Sequence, residues 1–262
     1  MSSTVREANT LRFLVLLSAI LLLFVYALPV QAGGLIQNGS FETTTLASPG
    51  GYFCPTGSAC TTSNVADWTS TCNNSQCGNG TTPEALLFPG TNGSAWNGGI
   101  GLWGTIADSP DGGNYVAVDG DPNYTSTIST SITGLTPNAV YVLSFYQGAA
   151  QQKGDNGTTT EQWQVSFSGQ TQLSTLMNDA SHGVIPWNQQ TMTFTAGAAN
   201  ETLSFFAVGT PSGLPPVVLL DGVSLFQAAP EPQSFVLVGI GLVVIPLLIR
   251  RRLRPGMQGR RA

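Results

Sequence analysis

Between residues 33 and 229 the apolar positions come in short runs, broken by Gly, Pro, Asn and Asp, and no stretch holds a helical period. The plainest run is 162–168, where Trp163, Val165 and Phe167 fall on one side of an extended chain and Gln162, Gln164, Ser166 and Ser168 on the other. Residues 191–195 alternate in the same way, with Met192 and Phe194 on the apolar side. Residues 140–146, 203–208 and 217–226 are apolar on both sides, which predicts central strands covered on two faces. Runs at 35–41, 85–88, 115–118 and 126–132 complete the set, and Thr136-Pro137-Asn138 reads as a turn. About eight or nine short strands punctuated by turn residues predict an all-β fold, a two-sheet jelly-roll sandwich.

The two ends follow another pattern. Residues 1–32 read as a secretory signal helix: Arg6 and Arg12, then an apolar stretch over 11–28, then small residues at Val30 and Ala32 that place cleavage after Ala32. An uncleaved N-terminal anchor is the alternative. At the other end Pro230-Glu231-Pro232 precedes a 16-residue apolar run, 234–249, and then Arg250, Arg251, Arg252 and Arg254. The run is slightly short of the roughly 20 residues that span a bilayer, and flanking arginines can snorkel to extend it. The basic cluster stays on the cytoplasmic side, so the chain reads as domain out and C-terminus in. The expected organisation is a signal peptide (1–32), an extracellular β-sandwich (33–229), a sorting and transmembrane segment (230–254) and a basic cytoplasmic tail (255–262).

Charge narrows the function. Lys153 is the only basic side chain in 33–229, against twelve acids, so the domain cannot neutralise a phosphate backbone and nucleic acid is excluded as a partner.

The tail resembles the PEP-CTERM sorting signal, with Pro230-Glu231-Pro232, a helix containing Gly239 and Gly241, and the arginines in order. That resemblance implies processing by an exosortase-type protease after export across the inner membrane of a Gram-negative bacterium, often beside exopolysaccharide production. The chain departs from the pattern by continuing through Pro255 to Ala262. A second resemblance lies in the domain: Asn38-Gly39-Ser40-Phe41-Glu42, then 115–120 (YVAVDG), 135–145 (LTPNAVYVLSF) and 219–225 (LLDGVSL). In this order they resemble the galactose-binding-like jelly rolls, which include many carbohydrate-binding modules. That resemblance implies a structural calcium near the first and last strands, which would join Glu42 and Asp221. In a regular last strand Leu219, Asp221, Val223 and Leu225 share the core-facing side, and a buried carboxylate needs a cation or several donors. Oxygen ligands favour calcium. The alternative is a bulge at Gly222 that re-aims Asp221.

Cys54, Cys60, Cys72 and Cys77 are an even set in an exported chain and predict disulfides. Pairing 54–60 with 72–77 closes small loops, and nesting 54–77 around 60–72 remains open. No catalytic constellation stands out. His182 is the single histidine and sits in a polar loop, and no nucleophile elbow is present. Trp96, Trp103 and Trp187, flanked by Gly or amides, are the expected sugar-stacking residues, with capping of an end of the sandwich as the alternative for each, whereas Trp163 and Trp68 are expected in the core. The ranked expectations are a non-catalytic glycan-binding module, then a structural or adhesive matrix protein, then a glycoside hydrolase marked by two carboxylates in one cleft.

Overall fold

The computed structural model describes residues 34–44, 51–52, 65–72, 85–90, 100–124 and 126–228. The signal segment, the Pro-Glu-Pro tail with its arginines, Trp96, Cys54, Cys60 and Cys77 lie outside the described residues, and for Cys72 only the backbone is described. The chain divides into two units, Met1–Ala228 and Ala229–Ala262, and every described residue belongs to the first.

Among the described residues there are twelve strands: β1 (Gly51–Tyr52), β2 (Trp68–Cys72), β3 (Ala85–Pro89), β4 (Asn114–Asp119), β5 (Ser126–Thr133) and β6 (Val140–Gln151), then β7 (Thr159–Phe167), β8 (Gln170–Leu173), β9 (Met177–Asp179), β10 (Val184–Thr195), β11 (Asn200–Thr210) and β12 (Pro216–Gln227). Sheet I runs β1-β3-β4-β12-β6-β10, and sheet II runs β2-β5-β11-β7-β8, with β9 also paired to β7. Every pairing is antiparallel. The fold is the all-β jelly-roll sandwich expected.

The alternating strands put their apolar side between the sheets. Trp163, Val165, Phe167, Phe194, Leu203 and Phe205 meet Leu143, Phe145, Val218 and Leu225 in one core. Of the runs apolar on both sides, 140–146 and 203–208 alternate buried with less buried positions, and only the first half of 217–226 has a second partner. Over the outer face of sheet I, Leu102 and Ile106 from 100–113 pack on Leu86, Phe88, Tyr115, Val217 and Leu219. Thus β4 and the first half of β12 are buried on both faces.

Residues 35–41 are not a strand. They form turns, with Asn38 and Phe41 at φ 50° and 57°. The Asn38 side chain ties this turn to Thr43 and Ala66, and Gly39 lies so close to the Val223 carbonyl that a Cβ there would fall 1.9 Å from its oxygen. The local hydrogen-bonding capacity of Asn38 and that close approach override the alternation of the sequence.

Candidate functional site

Three places could carry chemistry. The first is the pair of described tryptophans. Trp103 is half-buried, its ring 4.2 Å from the His182 ring and its Nε1–H donated to Asp155 O at 3.1 Å. His182, at φ 64°, shares a 2.6 Å contact between its Nε2 and Asn156 Oδ1. Trp187 lies edge-on to Tyr115 at 5.3 Å and donates to Ala107 O at 2.8 Å. Each ring already packs on another ring and each indole N–H is spent on a backbone carbonyl. Both are half-buried and stand apart, Trp187 against the outer cluster of sheet I and Trp103 beside His182. Trp163 and Trp68 are core, at 0 % and 4 % exposure.

The second place joins the first and last segments. Glu42 Oε1 accepts the Asn114 N–H, and Asn114 Nδ2 donates to Phe41 O. This brings Glu42 to Asp111 and Asp221, both carboxylates acting on Asp221. The face of Asp221 differs from the expectation. Gly222 at φ 58° breaks the β12–β6 register between Asp221 and Ser224. Leu219 therefore packs outside sheet I, whereas Val223 and Leu225 face the core. Asp221 is still fully buried, and neither carboxylate oxygen has a hydrogen-bond partner. Burial, with Asp111 and Glu42 adding repulsion, pushes its pKa up to about 8; the Ser109 hydroxyl and the Gly222 N–H lie near enough to pull the other way without completing a bond. Among the described residues no three acids, histidines or cysteines converge into a finished metal cage. What the place offers a hard cation is one orphaned buried carboxylate, with Glu42 and Asp111 acting on it electrostatically.

The third place was not anticipated. The outer face of sheet II carries no charged side chain among its outward positions on β2, β5, β7, β8 and β11. Strand register arranges it in rows. One row runs Thr69, Ser129, Ser204, Ser166, Thr171. The next runs Thr71, Thr127, Phe206, Gln164, Leu173. Val208 and Gln162 follow, and then Thr210 and Thr160, whose hydroxyls are 2.7 Å apart. Phe206 thus sits half-buried in the middle of a neutral field of hydroxyls and amides. The signal was in the sequence: the polar half of each alternating strand is Ser, Thr or Gln, but only tryptophans were weighed as sugar contacts.

Among the described residues Asp179 acts on Glu161, yet the two are 2 % and 0 % exposed and closed to a substrate.

No protein-family model matches the chain, and no curated protein does. Solved structures resemble it at low identity. TmCBM61, solved in complex with β-1,4-galactotriose, is 12% identical with a TM-score of 0.43, covering 75% of this chain and 100% of its own. A CBM4 structure is 16% identical with a TM-score of 0.30, over 74% of this chain and 99% of that one. The enzymatically active domain of tailspike protein 4 of bacteriophage CBA120 is 13% identical with a TM-score of 0.39, over 74% of this chain and 21% of that one. What this chain binds is argued from its own residues.

Proposed function

We propose that this chain is an exported, non-catalytic glycan-binding module that takes a neutral polysaccharide across the outer face of sheet II. The observation that carries this reading is the uncharged Ser/Thr/Gln field with Phe206 at its centre. A neutral sugar offers one apolar ring face and many hydroxyls. An aromatic ring suits the first, and side chains that both donate and accept suit the second. A row of strands with residues at every second position gives an extended ligand repeated contacts.

The tail supplies the destination. The order of Pro230-Glu231-Pro232, apolar run and Arg250-Arg251-Arg252 supports export through the inner membrane of a Gram-negative cell and processing by an exosortase-type protease. The domain would then reach the envelope or the extracellular polysaccharide. Glu42 and Asp221, with Asp111, would hold a structural calcium that supplies the positive charge missing beside Asp221.

A polysaccharide array with the purified full-length chain in detergent tests the reading. The parent is expected to bind at least one neutral polysaccharide, and Phe206→Ala to lose about ten-fold or more in affinity, roughly 1.4 kcal/mol. Equal binding by Phe206→Ala, or none by the parent, would sink it.

A further inference from the structure

The inner face of the sandwich turns polar where β7 begins and β9 ends. Thr159 is the direct cross-strand partner of Asp179, and Glu161 is the partner of Met177. Thr159 and Glu161, two residues apart, share the inner face with Trp163. Paired side chains across antiparallel strands have Cβ atoms about 5 Å apart, and diagonal ones about 7–8 Å or less, so the three oxygen-bearing groups are within reach of one another. Their exposures are 2 %, 0 % and 2 %.

These groups are largely unsatisfied, the Asp179 carboxylate accepting only the Ala180 N–H. Both Glu161 carboxylate oxygens, Asp179 Oδ2 and Thr159 Oγ1 have no hydrogen-bond partner. The Thr159 hydroxyl lies beside the Glu161 carboxylate without completing a bond to it. Gln151 is also fully buried with an orphaned Nε2, and its Oε1 accepts the His182 N–H at 3.2 Å in the turn that follows Asp179. No cationic side chain acts on either carboxylate. Burial raises the pKa of Glu161 to about 8 and of Asp179 to about 6. Ionised together, the two carboxylates would need a positive charge that no side chain acting on them supplies.

We propose that Glu161, Asp179 and Thr159 form an interior binding site for a divalent cation of the calcium class, separate from the Glu42–Asp221 region. Every donor is a hard oxygen, with no imidazole or thiolate among them, which selects calcium over zinc. A flexible coordination sphere accepts a carboxylate pair, a hydroxyl and waters, whereas magnesium demands a near-octahedral set that two strands do not supply. The ion would tie β7 to the turn at 180–183 and so fix the Trp103–His182 stack at that end.

The test is calcium titration by calorimetry and thermal melting on the full-length chain in detergent, after EDTA and exhaustive dialysis. Calcium alone is the probe. Variants are Glu161→Gln, Asp179→Asn and Asp221→Asn. The expected result is that Glu161→Gln and Asp179→Asn each bind one calcium fewer than the parent, and that Asp221→Asn still binds one and still melts higher with calcium. The Asp221→Asn chain keeps the question open to measurement should the interior variants fail to fold. Unchanged stoichiometry in a folded Glu161→Gln overturns the interior site, as does an Asp221→Asn chain that neither binds calcium nor responds to it. One ion lost on Asp221→Asn alone marks failure of the interior site, whereas an Asp221→Asn chain that binds as many ions as the parent marks failure of the Glu42–Asp221 reading.

Discussion

Asp121 shows how one acid clasps two loops of this chain. It is fully buried and accepts from the Asn123 N–H at 2.9 Å, the Ser212 hydroxyl at 3.0 Å and the Gly213 N–H. Burial alone would raise its pKa. The donations from Asn123, Gly213 and Ser212 outweigh that and hold it below the ordinary 3.8. The sign follows from linkage: a depressed folded pKa stabilises above 3.8 and is lost as pH falls through the folded value. Asp121→Ala should therefore cost about 2–3 kcal/mol at pH 7, the range for hydrogen bonds to a charged group. Urea unfolding at pH 7 and pH 3 checks it, and a gap between parent and variant that stays constant over that range would contradict the charge-based account. The sequence shows the Asp119-Gly120-Asp121 run but not its partners some ninety residues on, because nothing local marks Ser212 and Gly213 as donors. Asp221 was legible as a buried acid, its nearness to Glu42 through the jelly-roll resemblance, and its side of the strand only in the alternative of a bulge at Gly222. Parity counting assumes a regular strand, and the single left-handed residue Gly222 reverses it.

At the scale of elements, a sandwich leaves edge strands that invite further pairing. Here β8 and β10, edges of opposite sheets, are laced together. Gln170 Nε2 donates to Thr195 O and Gln172 Nε2 to Thr193 O, each at 2.7 Å. Gln190 Oε1 accepts the Thr175 N–H at 3.0 Å, and Gln147 Nε2 donates to Thr175 O at 2.9 Å. A strand backbone that would face solvent is thus occupied by side-chain amides. Replacing both Gln170 and Gln172 by Ala removes two such bonds, about 1–3 kcal/mol in sum. It should also expose the β10 edge, so that sedimentation velocity shows concentration-dependent association absent in the parent. A double variant that melts with the parent and stays monodisperse would show the lacing to be incidental. The central strands were legible because their apolar content is high or alternates cleanly. β8 and the first half of β10 were not, since Gln-Thr-Gln and Pro186-Trp187-Asn188-Gln189-Gln190 carry no apolar period. What makes them strands is this tertiary pairing, which sequence pattern does not register.

For the whole molecule, the ion proposed at Asp221 and the proposed ligand fall on different sheets. The Glu42–Asp221 region belongs to the N-terminal turn and β12 of sheet I, and the neutral field centred on Phe206 belongs to the outer face of sheet II. An ion at Asp221 should therefore act on stability and leave glycan affinity nearly untouched, because sites far apart with no shared partners behave additively. At a free calcium concentration about a hundred-fold above the dissociation constant, one site stabilises the fold by about 2.7 kcal/mol. EDTA should lower the melting temperature of the parent accordingly. Asp221→Asn should melt no lower than the metal-free parent, since the amide needs no protonation to be buried whereas a carboxyl raised to about 8 does, and its calcium response should shrink by the share of one site. Measured at 25 °C, well inside the folded range, the polysaccharide affinity of the parent should stay within about two-fold with and without calcium. A loss of about ten-fold in a folded Asp221→Asn chain would mean that the ion at Asp221 touches the ligand. In that event the glycan belongs on the acidic end of sheet I and not on the hydroxyl rows of sheet II.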